Sequence, residues 1–103
     1  MLSDSFKIKI EGRKMIKILA IGNSMYPTML DKNYYFMENI VFEDLHVKDI
    51  IVFQYQDMVI SHRIVKKMQS KNGTIFLKTK GDNCVKADDF AVTKRMVLGR
   101  III

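Results

Sequence analysis

A chain of 103 residues is long enough to bury a core without disulfide or metal staples and too short for two ordinary domains, so one domain spanning 1–103 with one site is expected. Residues that are 49% hydrophobic and 27% charged, with a single proline, exclude a disordered chain. Seventeen Lys and Arg against eleven Asp and Glu leave +6, which favours acidic partners such as nucleic acid or an anionic membrane surface, while the lone Cys84 excludes an internal disulfide. No Cys/His cluster has zinc-like spacing, so no metal or other cofactor is expected.

In chain order, Phe6-Lys7-Ile8-Lys9-Ile10 alternates apolar with basic, which predicts a half-buried strand with Lys7 and Lys9 facing water. Met15 to Ile21 is apolar and β-branched, a more buried strand closed by Gly22-Asn23. Its longest apolar run, Ile18 to Ile21, is far too short for a spanning helix or the core of a secretory signal. The chain is therefore expected to be cytoplasmic or peripherally membrane-associated. Met25 to Leu30 is the one stretch suited to a helical turn. Tyr34 to Phe42, Asp49 to Tyr55, Met58 to Met68, Thr74 to Thr79 and Val97 to Ile103 read as further strands, and Asn72-Gly73 is the strongest hairpin signal because both residues tolerate positive φ. The fold class predicted is mostly β, in antiparallel strands.

Three local sequences hold residues able to do chemistry. Ser24 lies in a tight turn between an apolar strand and Pro27, where a hydroxyl is presented outward and backbone N–H groups are available to an oxyanion; its plainer reading is a turn or cap serine. In Met58 to Val65, strand alternation puts His62 on one face with Met58, Ile60 and Ile64, and Ser61 and Arg63 on the other. His62 then reads either as a satisfied core histidine or as a general base, since an imidazole titrates near neutrality. His46 falls in a polar connecting segment and is expected to be solvated. Asp82, in the glycine turn Lys80-Gly81-Asp82-Asn83, and Asp88 are both candidates for the carboxylate that a serine–histidine pair needs to fix the imidazole tautomer.

Taken in order, Gly22-Asn23-Ser24-Met25-Tyr26-Pro27-Thr28, Asp49-Ile50-Ile51-Val52-Phe53, Ser61-His62-Arg63-Ile64-Val65, Lys78-Thr79-Lys80-Gly81-Asp82-Asn83 with Asp88, and Leu98-Gly99-Arg100-Ile101 resemble the conserved boxes of type I signal peptidases over about residues 16–103. Most bacterial and organellar members of that family use a lysine base. Histidine in a His-Arg-Val/Ile context marks the endoplasmic-reticulum and archaeal branch, and His62 is similar to it. The resemblance implies a β-rich endopeptidase that cuts signal or leader peptides after a small-x-small motif, typically Ala-x-Ala. Carried over by position, Ser24 resembles the nucleophile, His62 the general base and Asp88 the orienting carboxylate. Asp82 takes a supporting place, and Met25 and Pro27 set the loop and flank the substrate. Gly22 stands where many relatives place a serine that donates to the oxyanion hole, so here the hole leans on backbone, including the Ser24 N–H. Lys48 replaces the glycine usual before Asp49, and Tyr26 an acidic residue common after the serine-box methionine. Relatives carry membrane spans just before the serine box, where this chain has the charged run Phe6 to Lys14.

The rival readings are a non-catalytic relative that binds peptides, a self-cleaving repressor-type domain and a basic nucleic-acid-binding β domain. The three alanines, Ala20, Ala87 and Ala91, are not followed by glycine, which weighs against self-cleavage at an Ala-Gly bond. The lysines form no groove-tracking arrangement, so nucleic acid is not expected as a partner, and the +6 is left to a solvated surface or to contact with anionic lipid.

Overall fold

The computed structural model describes the backbone of residues 2–10 and 13–103, and side chains from residue 14 onward. Seven strands form one antiparallel sheet: β1 (Leu2–Ile10), β2 (Arg13–Ala20), β3 (Tyr34–Glu38), β4 (Ile50–Tyr55), β5 (Met58–Gln69), β6 (Ile75–Lys80) and β7 (Val97–Ile102). Their order across the sheet is β1-β2-β3-β7-β4-β5-β6. Among the described residues, single 3-10 turns at Phe42–Asp44 and Lys94–Met96 complete the regular structure. The mostly-β antiparallel expectation therefore holds. The directions of the Lys7 and Lys9 side chains lie outside the described residues. Among the described residues no helix is long and apolar enough to cross a membrane.

Strand β4 shows how the core is organised. Successive side chains of a strand point to opposite faces, and all of Ile50, Ile51, Val52 and Phe53 are buried. Ile50 and Val52 enter one cluster with Ile18, Ala20, Met25, Met29, Met37 and Ile101. Ile51 and Phe53 enter a second, with Phe42, Leu45, Ile64, Leu77 and Val92. Both faces of the central strands are thus covered, which is why this segment reads as a continuous apolar run rather than an alternating one.

One local expectation is corrected. The strand beginning at Tyr34 stops at Glu38 rather than running to Phe42. Met37 belongs to the first cluster and Phe42 to the second, so the chain must change faces between them and gives up sheet pairing to do so. The segment from Met25 to Leu30 makes a single turn, as expected, closed by the Met29 N–H to the Met25 carbonyl at 2.9 Å and including a cis Tyr26–Pro27 peptide. The Asn72-Gly73 signal does mark the β5–β6 hairpin, although only Gly73 takes positive φ (88°). Asn72 instead uses its side chain, accepting the Thr74 N–H at 3.1 Å.

The site is placed by β5, the longest of the strands from β2 onward. It pairs with β4 from Met58 to Arg63 and with β6 from Arg63 to Gln69, with a register shift between Ile64 and Lys66. His62 and Arg63 therefore sit where β5 leaves one partner for the other, and the Gly81 turn at the end of β6 lies beside them.

Candidate active site

The serine turn is built from its anchors. Gly22 has φ 103°, a left-handed conformation that side chains rarely adopt, and its N–H donates to Asp31 Oδ1 at 2.7 Å. Met25 and Met29 are buried in the first cluster and pin the turn to the sheet, while Pro27 is exposed. From the far end of β6, Asn83 donates its backbone N–H to the Ser24 carbonyl (2.8 Å) and its amide to the Asn23 carbonyl (3.1 Å). Asp82 N–H contacts the Met25 sulfur at 3.3 Å. The serine turn and the 81–84 turn, remote in sequence, are thus one unit.

Gly81 explains how closely they meet. A Cβ there would lie 2.6 Å from the Ser24 carbonyl oxygen, 2.7 Å from Cys84 Sγ and 3.1 Å from His62 Nε2. Any side chain would push apart the serine turn and the imidazole.

His62 is 8% exposed and stands edge-on to Phe53, with ring centroids 6.4 Å apart. Its Nδ1 is 2.8 Å from Asp88 Oδ2 and its Nε2 is 3.2 Å from Ser24 Oγ. A carboxylate can only accept, so Nδ1 carries the proton and the Nε2 lone pair faces the serine hydroxyl. Asp88 Oδ2 also accepts from the Thr79 hydroxyl at 2.7 Å, and Thr79 is fully buried. The backbone around Asp88 is held to β6 as well: Asp88 N–H donates to the Thr79 carbonyl (2.8 Å), and Lys78 Nζ donates to the Asp88 carbonyl (2.6 Å). Two residues before Thr79 and four after Asp88, Leu77 and Val92 form an antiparallel bridge.

The two candidate aspartates are separated by this geometry. Asp88 faces His62, whereas Asp82 faces Arg63, whose Nε and Nη2 donate to its two oxygens at 2.9 and 2.8 Å. Thr28 Oγ1 donates to the same carboxylate at 2.6 Å. The Arg63 hydrogen bonds hold the Asp82 carboxyl below its ordinary value; burial opposes the shift, and Thr28 and the charges of Arg63 and Lys80 add to it. Arg63 is raised in turn, chiefly by its bond to Asp82. Its remaining Nη1 reaches the Lys48 carbonyl at 2.7 Å. Asp82 thus joins β5, the 81–84 turn and Thr28 of the serine turn without touching the imidazole.

His46 is exposed, as expected, and so is Asp89. Ser61 points to the face opposite His62, but that face too is buried, and Ser61 Oγ donates to the Met29 sulfur at 3.4 Å. Arg63, Thr28, Thr79 and Gly81 were not singled out by residue type. The signal for Thr79 is its place two residues before Gly81, on the same face of the strand that ends at the turn. Among the described residues no group of three or more His, Cys, Asp and Glu is arranged to hold a metal ion.

Next to Ser24 is a small cavity lined by Ala20, Ile21, Gly22, Met25, Met29 and Ser61, of about 10 Å³, room for about one water molecule or a methyl group. A groove of about 520 Å³ elsewhere is lined by Phe42, Thr74, Ile75, Lys94 and their neighbours and includes none of these residues.

No family model matches the chain, and no solved structure matches it. It is similar to the signal peptidase complex catalytic subunit SEC11C of Homo sapiens, Mus musculus and Canis lupus familiaris, in each case 30% identical over 78 residues. The match takes in 74% of this chain and 41% of each relative, so the chain spans about two fifths of the length of the curated relatives it matches. This similarity supports a distant relationship of the signal peptidase I type and, at that general level, a peptidase.

Proposed function

We propose that the chain is a serine endopeptidase that cuts signal or leader peptides after a small-x-small motif. The observation that carries this reading is the line from Asp88 through His62 to Ser24, with 2.8 and 3.2 Å separations, in a chain similar to signal peptidase catalytic subunits. His62 takes the Ser24 proton as the hydroxyl attacks the scissile carbonyl, while Asp88 steadies the imidazolium that forms. The proton passes to the leaving amine. Water, deprotonated by the same ring, then releases the acyl group. Backbone N–H groups of the serine turn, Ser24 included, receive the developing oxyanion. The small cavity beside Ser24 supports the size rule, because a pocket with room for a methyl group excludes large side chains sterically.

The test uses a purified chain and an Ala-x-Ala peptide, with cleavage followed by mass. Ser24→Ala and His62→Ala should each lower the rate about 10³-fold or more. Undiminished cleavage in either variant sinks the reading. Peptide binding with no turnover in the parent chain would favour a non-catalytic module instead.

A further inference from the structure

Asp88 meets the imidazole through one oxygen, Oδ2, and the same oxygen accepts the Thr79 hydroxyl at 2.7 Å. A carboxylate turns about its last side-chain bond along a broad, two-fold torsion. The His62 bond alone therefore does not fix which oxygen faces the ring, or at what angle. A second donor at a fixed place does. Thr79 is 0% exposed, and its β-branched side chain has few rotamers, so its single proton is committed to Oδ2 from a rigid strand. The backbone of Asp88 is held separately, by its N–H on the Thr79 carbonyl and by Lys78 Nζ on its own carbonyl. The hydroxyl is thus not needed to bring Asp88 to the sheet. What it adds is the orientation of the carboxylate.

We propose that Thr79 is a positioning residue, whose buried hydroxyl locks Asp88 Oδ2 onto His62 Nδ1 and through it aims Nε2 at the Ser24 hydroxyl. The inference rests on the peptidase reading for the use made of that alignment, although the alignment itself is present in the resting chain. When His62 takes the serine proton, the ring becomes a donor at both nitrogens and leans on the Oδ2 charge. The Thr79 bond keeps that oxygen in line throughout. Thr79 touches neither substrate nor the reacting atoms, and no proton leaves it.

Three variants test this. Thr79→Val keeps the branched shape and removes the donor, Thr79→Ala removes both, and Thr79→Ser keeps the donor. On the Ala-x-Ala peptide, Thr79→Val and Thr79→Ala should each lower kcat about tenfold, the worth of one hydrogen bond to a charged group, with KM within about twofold. Thr79→Ser should stay within about threefold of the parent, which a role in packing alone does not predict. A second readout needs no substrate: the His62 Nδ1 proton, followed by NMR in the isotope-labelled chain, should exchange with water about tenfold faster in Thr79→Val and at the parental rate in Thr79→Ser. If the parent cleaves no peptide while the Nδ1 proton behaves in this way, the peptidase reading fails and the positioning assignment stands. An Nδ1 proton already labile in the parent, or an exchange rate unchanged by Thr79→Val, overturns the assignment. So does a cleaving parent whose kcat survives Thr79→Val, or falls equally in Thr79→Ser.

Discussion

At Asp88 a single carboxylate oxygen takes hydrogen bonds from the His62 ring and from the buried Thr79 hydroxyl. At Asp82 both oxygens are taken by Arg63, and Thr28 adds a third bond. The two acids should therefore fail differently. Asp88→Asn presents an amide whose NH₂ opposes the Nδ1 proton, and should lower kcat on the Ala-x-Ala peptide about 10³- to 10⁴-fold with a folded chain. Asp82→Asn should act on stability. The Asp82 carboxyl is held below its ordinary 3.8, so its contribution is fully present above that value and lost as pH falls through the depressed one. Urea midpoints measured from pH 6 down to pH 2 should show the parent losing about 1–3 kcal/mol more than Asp82→Asn, with the two converging at the acid end. Parallel curves would show that the Arg63 pair contributes nothing to folding.

The turn before β4 carries a departure that its geometry makes testable. Lys48 has φ 85°, a left-handed conformation that costs a residue with a Cβ. Two bonds hold it there: its N–H donates to the Ile64 carbonyl at 2.8 Å, and its own carbonyl accepts Arg63 Nη1. The turn thus fixes the β4–β5 pairing just where His62 and Arg63 emerge, and a residue with no Cβ relieves the strain. Lys48→Gly should raise stability by about 0.5–1 kcal/mol in urea titration, net of the extra freedom glycine has in the unfolded chain. A loss of stability would show that the lysine side chain outweighs its backbone cost.

Across the whole molecule, Phe53 links the core to the site. It is fully buried in the second cluster, edge-on to His62 at 6.4 Å and to Phe90 at 6.0 Å, with Phe90 stacked in turn on Tyr55. Phe53→Ala should cost about 3–5 kcal/mol, because the surrounding side chains collapse only partly into the space left. It should also lower kcat, since the wall against which the imidazole rests is gone. A variant of parental stability would mean that the two clusters repack freely. The seam between β3 and β7 is held separately, by the register pair Glu38 and Arg100, whose carboxylate and guanidinium meet at 3.0 Å.

Residue type and periodicity by themselves determine the strand-rich class and the β5–β6 hairpin, because alternation and turn chemistry are local properties of the chain, whereas Ser24, His62 and the two aspartates stand out only through the order of the boxes that resemble signal peptidases. They do not end the third strand at Glu38, since that depends on Met37 and Phe42 entering different clusters. Nor could they choose between two aspartates six residues apart on one turn-rich segment. That choice is made by β6, whose edge, through Thr79 and Lys78, carries Asp88 to the imidazole while Arg63 on β5 takes Asp82. Hydrogen bonds between residues 9 to 62 positions apart arise only when the sheet brings their strands and turns together, and tertiary structure alone decides them.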